Sequence, residues 1–204
     1  MNLEELETIV RWMGGLLAYT TLGIIFWGIW RGTQRLAGLT TGRTGSWLRS
    51  PWFYFASSVV FFGLCYIAWV PLPQTFSPAS RGWMLGLGSL LYFPGMSFVL
   101  WGRLALGKYY FVSTGFGAQL FAGHHLVIRG PFAIVRHPMY TGLFLAALGS
   151  LLIYPTWTTL LFTSFAPLTI IRARREEAAL AEGFGEQWQE YCKSVPAFCP
   201  HLRK

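Results

Sequence analysis

Five long runs of apolar residues, separated by short polar stretches, set the pattern of this chain. They span roughly residues 8–30, 52–70, 83–101, 139–154 and 157–171. The first three are long enough to cross about 30 Å of hydrocarbon as α-helices, which rise about 1.5 Å per residue. Only Pro155 and Thr156 separate the shorter last two, which therefore predict a tight helical hairpin. The pattern predicts an all-α integral membrane protein with about five transmembrane helices, the last two forming a short hairpin.

The C-terminal segment has the periodicity of a cytoplasmic amphipathic helix. Its apolar positions recur at helical spacing and are Leu180, Phe184, Trp188 and Tyr191. A second face carries the acidic residues Glu182, Glu186 and Glu190. Gly183 and Gly185 weaken such a helix, and the prolines of VPAFCP at 195–200 cannot continue it, so we expect it to end in an extended hook.

The composition excludes several classes of protein and of catalytic site. Hydrophobic residues make up 53% of the 204 residues and charged residues only 12%, whereas soluble domains carry about 25% charged residues. The chain has no aspartate, which excludes a Ser-His-Asp triad and an aspartate pair. Its three cysteines have neither zinc-binding spacing nor an even number, so we expect reduced thiols. Chemistry must use glutamate, histidine, arginine, tyrosine or a bound cofactor.

The distribution of basic residues predicts the orientation in the membrane. Fourteen of the sixteen Lys and Arg residues lie in the stretches 31–50, 102–138 and 172–204. If five spans alternate, these stretches share one side, and the positive-inside rule places them and the C-terminus in the cytoplasm, with the N-terminus outside. The acidic start, MNLEELETIV, is unlike a cleavable signal, so we expect the first span to remain as an anchor. The net charge of +8 then needs no nucleic acid as partner.

Three polar clusters on the predicted cytoplasmic side can carry chemistry. They are HHLVIRGPF at 124–132, VRHPMY at 135–140 and RARREE at 172–177. The last two lie at the two ends of the predicted hairpin, so Arg136 and Glu176 should approach each other. Pro138 suits the first turn of a helix, whose free N–H groups, together with Arg136, would make a site for a carboxylate or another anion.

The same residues also have an interpretation without a ligand. Arg136 and His137 at a membrane boundary are typical of side chains that anchor a span by reaching the water. Under this interpretation the remaining polar residues are interfacial or solvated, namely His124, His125, Glu176 and Glu177. No third ligand beside the two adjacent histidines indicates a metal. The residues alone leave both interpretations open.

Two longer stretches carry a family resemblance. HHLVIRGPFAIVRHPMYTG at 124–142, followed by RARREEAALAEGFGEQWQEYCKSVPAFCP at 172–200, resembles the C-terminal half of the isoprenylcysteine carboxyl methyltransferase family. Members are integral-membrane methyltransferases that use S-adenosyl-L-methionine. The resemblance covers roughly residues 120–200, about 40% of the chain. Membrane sterol reductases carry a similar R-H-P-N-Y stretch. In this chain, Met139 stands at the position of their asparagine.

The resemblance implies a cofactor pocket made by the C-terminal half. Its cofactor-binding residues would be His125, Leu126, Val127, Gly130, Pro131, Phe132, Arg136, His137, Pro138, Tyr140, Gly142, Glu176 and Glu177. Its catalytic residues would be Arg136, Arg172 and Glu177, and no metal is implied. Arg172 matches a family arginine thought to face the acceptor carboxylate, although Arg175 competes for that role. Phe132 stands where the family usually has tyrosine.

The implied activity is methyl transfer from S-adenosyl-L-methionine to a lipophilic acceptor drawn from the bilayer. A carboxylate acceptor, as in an isoprenylcysteine-like lipid, is ionised at neutral pH and needs no general base, whereas an amine or thiol acceptor would need Glu177 or His137. Residues 1–101 would then form the acceptor side and residues 102–204 the catalytic region. The alternatives are a phospholipid amine or small thiol methyltransferase, an NADPH-dependent sterol-reductase-like enzyme, and a non-catalytic membrane scaffold. Chain length and Met139 disfavour the reductase.

Overall fold

A computed structural model describes residues 2–33, 51–109 and 125–200, and within them every regular element is helical. The helices are α1 (Leu3–Thr33), α2 (Pro51–Ile67), α3 (Pro78–Leu106), α4 (Pro138–Ile153), α5 (Trp157–Phe165), α6 (Thr169–Phe184) and α7 (Glu186–Ser194). Short 3-10 turns in the described ranges lie at Gly107–Tyr109, Gly130–Ala133 and Ala166–Leu168. The predicted all-α class is confirmed for the described part of the chain. The predictions for His124, Arg35, Arg43, Arg49, Arg203 and Lys204 fall outside the described residues.

The structure does not confirm the predicted count of five spans. In the part of the chain that the structure describes, two segments are long and apolar enough to cross a membrane, Leu3–Arg31 in α1 and Pro78–Leu106 in α3. Helices α2 and α4 are apolar but have only 17 and 16 residues. The fifth predicted segment is divided, because α5 has nine residues and the turn containing Pro167 separates it from α6. Proline lacks the N–H that would continue the helical hydrogen bonds.

The outer faces of the long helices carry many large apolar side chains that none of the described residues covers. Those on α1, α2 and α3 include Trp12, Leu16, Tyr19, Trp52, Phe55, Leu64, Tyr66, Trp83 and Leu90, all exposed. Soluble monomers rarely expose apolar patches beyond a few hundred Å². Because an apolar surface that runs along whole helices is stable only in a lipid environment, the chain is a membrane protein.

Helices α3 and α4 pack antiparallel along a seam of glycines. A Cβ atom on Gly142 would lie 2.6 Å from the carbonyl oxygen of Gly95. One on Gly149 would lie 2.5 Å from the backbone nitrogen of Tyr92, and one on Gly102 would lie 2.7 Å from Cγ of Met139. Glycines at these positions let the two backbones approach closely, which is how helices associate where lipid removes the hydrophobic drive.

Helix α1 runs parallel to α3, and polar contacts tie the two together near both ends. At one end, Glu7 is buried and makes a two-pronged ion pair with Arg81, at 2.9 and 2.5 Å. Further along, the hydroxyl of Tyr92 donates to the carbonyl of Gly14 at 2.8 Å. At the other end, the guanidinium of Arg103 packs directly on Gly28, so closely that a Cβ on Gly28 would overlap it. That second end is also the end where α4 begins.

The predicted single amphipathic helix is two helices, which corrects the sequence interpretation. The break falls at Gly185, whose φ of 51° is a left-handed conformation that glycine adopts at no steric cost. The four apolar residues predicted to share a face nevertheless stay together. Trp188 and Tyr191 are buried in one cluster, and Leu180 and Phe184 pack against it. The break turns α7 back towards α6 without exposing this face.

Candidate functional site

The start of α4 is shaped by two local features of the sequence. Gly130 has φ of 64° and opens the 3-10 turn, in which Pro131 is buried. Pro138 occupies the first helical turn, as the sequence predicted, where its missing N–H leaves no hydrogen bond unmade. Between them, Val135 is completely buried. This frame orients the two following side chains, Arg136 and His137, towards α6 and the C-terminal segment.

The carboxylate of Glu177 on α6 joins both side chains. Its Oε1 atom accepts hydrogen bonds from Arg136 Nε at 3.0 Å and from His137 Nε2 at 2.9 Å, and Arg136 Nη2 lies 2.9 Å away. The hairpin thus brings Arg136 to the acidic pair, as predicted. The residue that contacts Arg136, however, is Glu177, whereas the prediction had named Glu176.

The environment of Glu177 lowers the pKa of its carboxyl group. Partial burial raises this pKa, but the hydrogen bonds and positive charge of His137 and Arg136 outweigh that effect. The group is therefore ionised at neutral pH. Its second oxygen, Oε2, accepts no hydrogen bond from the described residues, and 28% of the side chain is exposed. That oxygen is available to a cationic ligand.

Glu176 forms a second polar group beside the first. Its Oε1 accepts a 2.5 Å hydrogen bond from the hydroxyl of Tyr140, and Arg172 Nε lies 3.6 Å from the same oxygen. Arg172 stands one helical turn before Glu176, and 39% of its side chain is exposed. The two groups place adjacent carboxylates, two arginines, an imidazole and a phenol within one region at the start of α4.

The hook after α7 lies along the start of α4. The backbone N–H groups of Arg136 and His137 donate to the carbonyls of Pro196 and Ala197, at 2.8 and 3.0 Å. The ring of Phe198 stacks on His137 with 5.2 Å between ring centres. His137 is consequently only 5% exposed. The hook predicted from VPAFCP therefore forms one wall of the region.

The remaining predicted residues divide into a buried frame and an accessible rim. Three of them are buried where they stand: Pro131, Pro138 and Gly142. Gly142 packs against α3, so its need for glycine is explained by helix packing. The partly buried or exposed ones are His125, Leu126, Val127, Gly130 and Phe132. Leu126 packs on the Trp188 cluster, and the carbonyl of Phe132 accepts a 2.6 Å hydrogen bond from Tyr191.

Sequence reasoning missed two residues that shape this region. The guanidinium carbon of Arg136 lies 5.9 Å from the centre of the Trp188 ring, within the range of a cation–π contact. Tyr191 is buried, and burial raises the pKa of its hydroxyl to about 12, against a smaller opposing effect of Arg136, so the hydroxyl stays a donor. Both residues were assigned only to an apolar helical face. Within the described ranges, no group of three or more His, Cys or Glu residues is arranged to hold a metal ion.

Parts of the chain are similar in sequence to known proteins. A stretch of 79 residues is 37% identical to the protein-S-isoprenylcysteine O-methyltransferase of Schizosaccharomyces pombe, covering 38% of this chain and 34% of that protein. A stretch of 80 residues is 36% identical to a Delta(14)-sterol reductase of Mus musculus, covering 36% of this chain and 18% of that protein. The chain thus spans about a third of the first relative and under a fifth of the second.

A family model matches a larger share of the chain than either relative does. The family model of phospholipid methyltransferases matches residues 83–187, just over half of the chain, from α3 through α7's first residues. This region contains the glycine seam, the start of α4 and both carboxylates. The predicted resemblance to membrane methyltransferases is confirmed. The chain belongs to the phospholipid methyltransferase family, whose members are methyltransferase enzymes.

Proposed function

We propose that this protein transfers a methyl group from S-adenosyl-L-methionine to a lipophilic acceptor at the membrane surface. The observation that carries the proposal is the polar region at the start of α4, in which Glu177 offers an oxygen that accepts no hydrogen bond from the described residues and Arg172 offers an accessible cation. This region lies in the part of the chain that matches the family. The apolar outer faces of the helices are suited to lie in the membrane, and the lipophilic acceptor is drawn from that membrane. The cytoplasmic orientation predicted from the basic residues remains part of the proposal.

The donor set fits the charges of S-adenosyl-L-methionine, which supplies an electrophilic methyl group on a sulfonium when bound. Glu177 Oε2 is suited to the cofactor's ammonium, because Arg136 and His137 engage only Oε1 of the same carboxylate. The rim formed by His125, Leu126 and Val127 offers apolar and ring surface for an adenine. Methyl transfer needs alignment and exclusion of water more than acid–base catalysis, so the protein's main contribution is to hold both reactants in line.

The electrostatics of Glu177 favour an acceptor that is already ionised. A general base works best with a pKa near the operating pH, whereas His137 and Arg136 lower the pKa of Glu177 against the opposing effect of burial. The Nε2 atom of His137 is engaged by the same carboxylate. Because neither group is arranged to take a proton from an amine or thiol, we propose a carboxylate acceptor, with Arg172 as its positioning cation. The name of the fission-yeast relative agrees with this choice.

Titration calorimetry of the full chain in detergent tests the proposed cofactor. We expect S-adenosyl-L-methionine to bind and NADPH not to bind. Glu177→Gln should weaken binding at least about tenfold, since it removes the charge facing the ammonium. Glu182→Gln is the matched control, because Glu182 is an exposed residue of the same helix. Binding of NADPH alone would support the sterol-reductase alternative, and binding of neither ligand by folded protein would support the scaffold.

A second experiment identifies the acceptor. Full-length protein is incubated with methyl-labelled S-adenosyl-L-methionine and, separately, with a farnesylcysteine carboxylate, phosphatidylethanolamine vesicles and a long-chain thiol. A methyl ester releases labelled methanol in mild alkali, whereas a methylated amine or thioether does not. Base-labile label with the carboxylate is the expected result. Label that accumulates only on the phospholipid amine would refute the carboxylate proposal while leaving the methyltransferase proposal intact.

A further inference from the structure

The guanidinium of Arg136 has no pair of donors left to grip a ligand carboxylate. Its Nε and Nη2 atoms face Glu177 Oε1 at 3.0 and 2.9 Å. Its Nη1 atom donates to the carbonyls of Val195 and Cys192, at 2.9 and 3.3 Å. Trp188 covers one face, and only 14% of the side chain is exposed. A two-pronged grip needs two adjacent unengaged N–H groups, which this arrangement does not offer.

The partners of Arg136 belong to a wider pattern along the C-terminal hook. Four consecutive carbonyls, from Val195 to Phe198, accept hydrogen bonds from donors between Arg136 and Thr141. In order, the donors are Arg136 Nη1, Arg136 N, His137 N and Thr141 Oγ1, with distances of 2.9, 2.8, 3.0 and 3.1 Å. We call residues 195–198 the strap. Arg136 donates two of the four hydrogen bonds that hold the strap, and we call this set of bonds its fastening.

We infer that Arg136 is a positioning residue that fastens the strap to Glu177 and to the start of α4. The side chain bridges two segments that no other described contact joins in this way, with Glu177 on one edge and the strap carbonyls on the other. The strap in turn sets Phe198 against His137, the second donor to Glu177. Arg136 therefore acts on a ligand through Glu177 and the strap. The ligand part of this inference rests on the proposed function, whereas the fastening does not.

Two variants of the full chain separate fastening from direct ligand binding. Arg136→Gln removes the cation and most of its contacts. Thr141→Val removes only the hydroxyl that donates to Phe198, and Thr141 is not among the predicted ligand-binding residues. Thr163→Val is the control, because its hydroxyl donates to carbonyls within the α4–α5 hairpin, away from the strap.

The first readout is hydrogen exchange at the amides of residues 136 and 137, measured without any ligand. Both amides donate to the strap, so exchange should quicken about tenfold in Arg136→Gln and less in Thr141→Val, and stay unchanged in Thr163→Val. If exchange at these amides does not change in Arg136→Gln, the fastening role is refuted. Thr141→Val keeps the test decisive if Arg136→Gln does not fold, because a loosened strap must also appear there.

The second readout is binding of S-adenosyl-L-methionine to the same variants and to the double variant Arg136→Gln/Thr141→Val. If Arg136 acts through the strap, the double variant should bind no more weakly than Arg136→Gln alone. Weaker binding in Arg136→Gln with unchanged amide exchange would instead make Arg136 a direct ligand and overturn the inference. Faster exchange in a protein that binds no S-adenosyl-L-methionine even when unaltered would refute the proposed function and leave the fastening standing.

A pH profile supplies a readout that a purely structural role would not move. The charged or titratable groups facing Glu177 are Arg136, His137 and, at longer range, the Cys192 thiol. Loss of the Arg136 charge should raise the pKa of Glu177 and move the acid limb of ligand binding to higher pH. Thr141→Val should leave that limb in place. If ligand binding to Arg136→Gln is lost at the same acidic pH as in the unaltered protein, Arg136 does not act through Glu177.

Discussion

The seam between α3 and α4 allows a sharp prediction about glycine substitutions. In Gly142→Ala the new methyl group would meet the carbonyl oxygen of Gly95 at 2.6 Å and the backbone nitrogen of Val99 at 2.8 Å. Both are backbone atoms, which cannot rotate away. Gly86 lies in α3, the helix that Gly142 of α4 packs against, but a Cβ on Gly86 meets nothing within 4 Å. The pair Gly142→Ala and Gly86→Ala therefore compares the same chemical change with and without a close neighbour.

The magnitude follows from the distances. Ordinary contact with a Cβ begins near 3.4 Å, so α3 must withdraw by about 0.8 Å, a gap that forfeits a quarter to a half of the dispersion attraction of the atoms concerned. Overpacking of this kind costs about 1–3 kcal/mol. Replacing a helical glycine by alanine gains up to about 1 kcal/mol. We expect Gly142→Ala to destabilise the protein by about 1–2 kcal/mol and Gly86→Ala to stabilise it slightly.

Thermal unfolding in one detergent, followed by loss of the monodisperse peak after heating, measures both variants against the unaltered protein. Gly142→Ala should lower the midpoint by several degrees, and Gly86→Ala should leave it equal or higher. Gly142→Ala should also weaken S-adenosyl-L-methionine binding, because α4 carries Arg136 and His137 at its start. If both variants shift the midpoint in the same direction by the same amount, close packing is not what requires glycine at position 142.

Three further predictions concern named polar contacts. Glu7→Gln should lower the free energy of unfolding by about 1–2 kcal/mol, because it turns a two-pronged ion pair with Arg81 into a neutral contact; an unchanged thermal midpoint would contradict this. The folded-state pKa of Glu177 lies below its ordinary value of 4.5, so its stabilising contribution is present above about pH 4.5 and lost as pH falls through the lowered pKa. Glu177→Gln should flatten that acid loss in a pH series of melting curves. Tyr191→Phe should cost about 1 kcal/mol between pH 7 and pH 9, with no pH dependence, since its hydroxyl stays protonated there; a cost that grows across this range would show that the hydroxyl ionises.

Local features of the chain predicted much of the site. Pro138 begins α4 and Gly130 opens the turn before it, because proline and glycine restrict or permit backbone angles regardless of distant contacts. The apolar face that includes Trp188 and Tyr191 was legible from helical spacing alone. The glycine seam was legible as well, since Gly88, Gly95 and Gly102 recur every seven residues, but the sequence interpretation passed over it.

Choices between neighbouring residues needed the tertiary structure. Glu176 and Glu177 are adjacent on α6, and successive helical residues point about 100° apart. The rotation of α6 against α4 alone decides that Glu177 meets Arg136 while Glu176 meets Tyr140. No residue pattern encodes that rotation, because it results from packing across the whole hairpin.

The sequence by itself determined the helical class, the apolar surface and the cluster of polar residues at the start of α4, because these depend on composition and on angles set within a few residues. The tertiary structure decided what each polar group contacts. Arg136 would suit a carboxylate clamp by charge alone, yet its donors face Glu177 and the strap carbonyls. Those partners lie 41 and 59 residues further along the chain, and only the folding back of α6 and α7 brings them within hydrogen-bond distance.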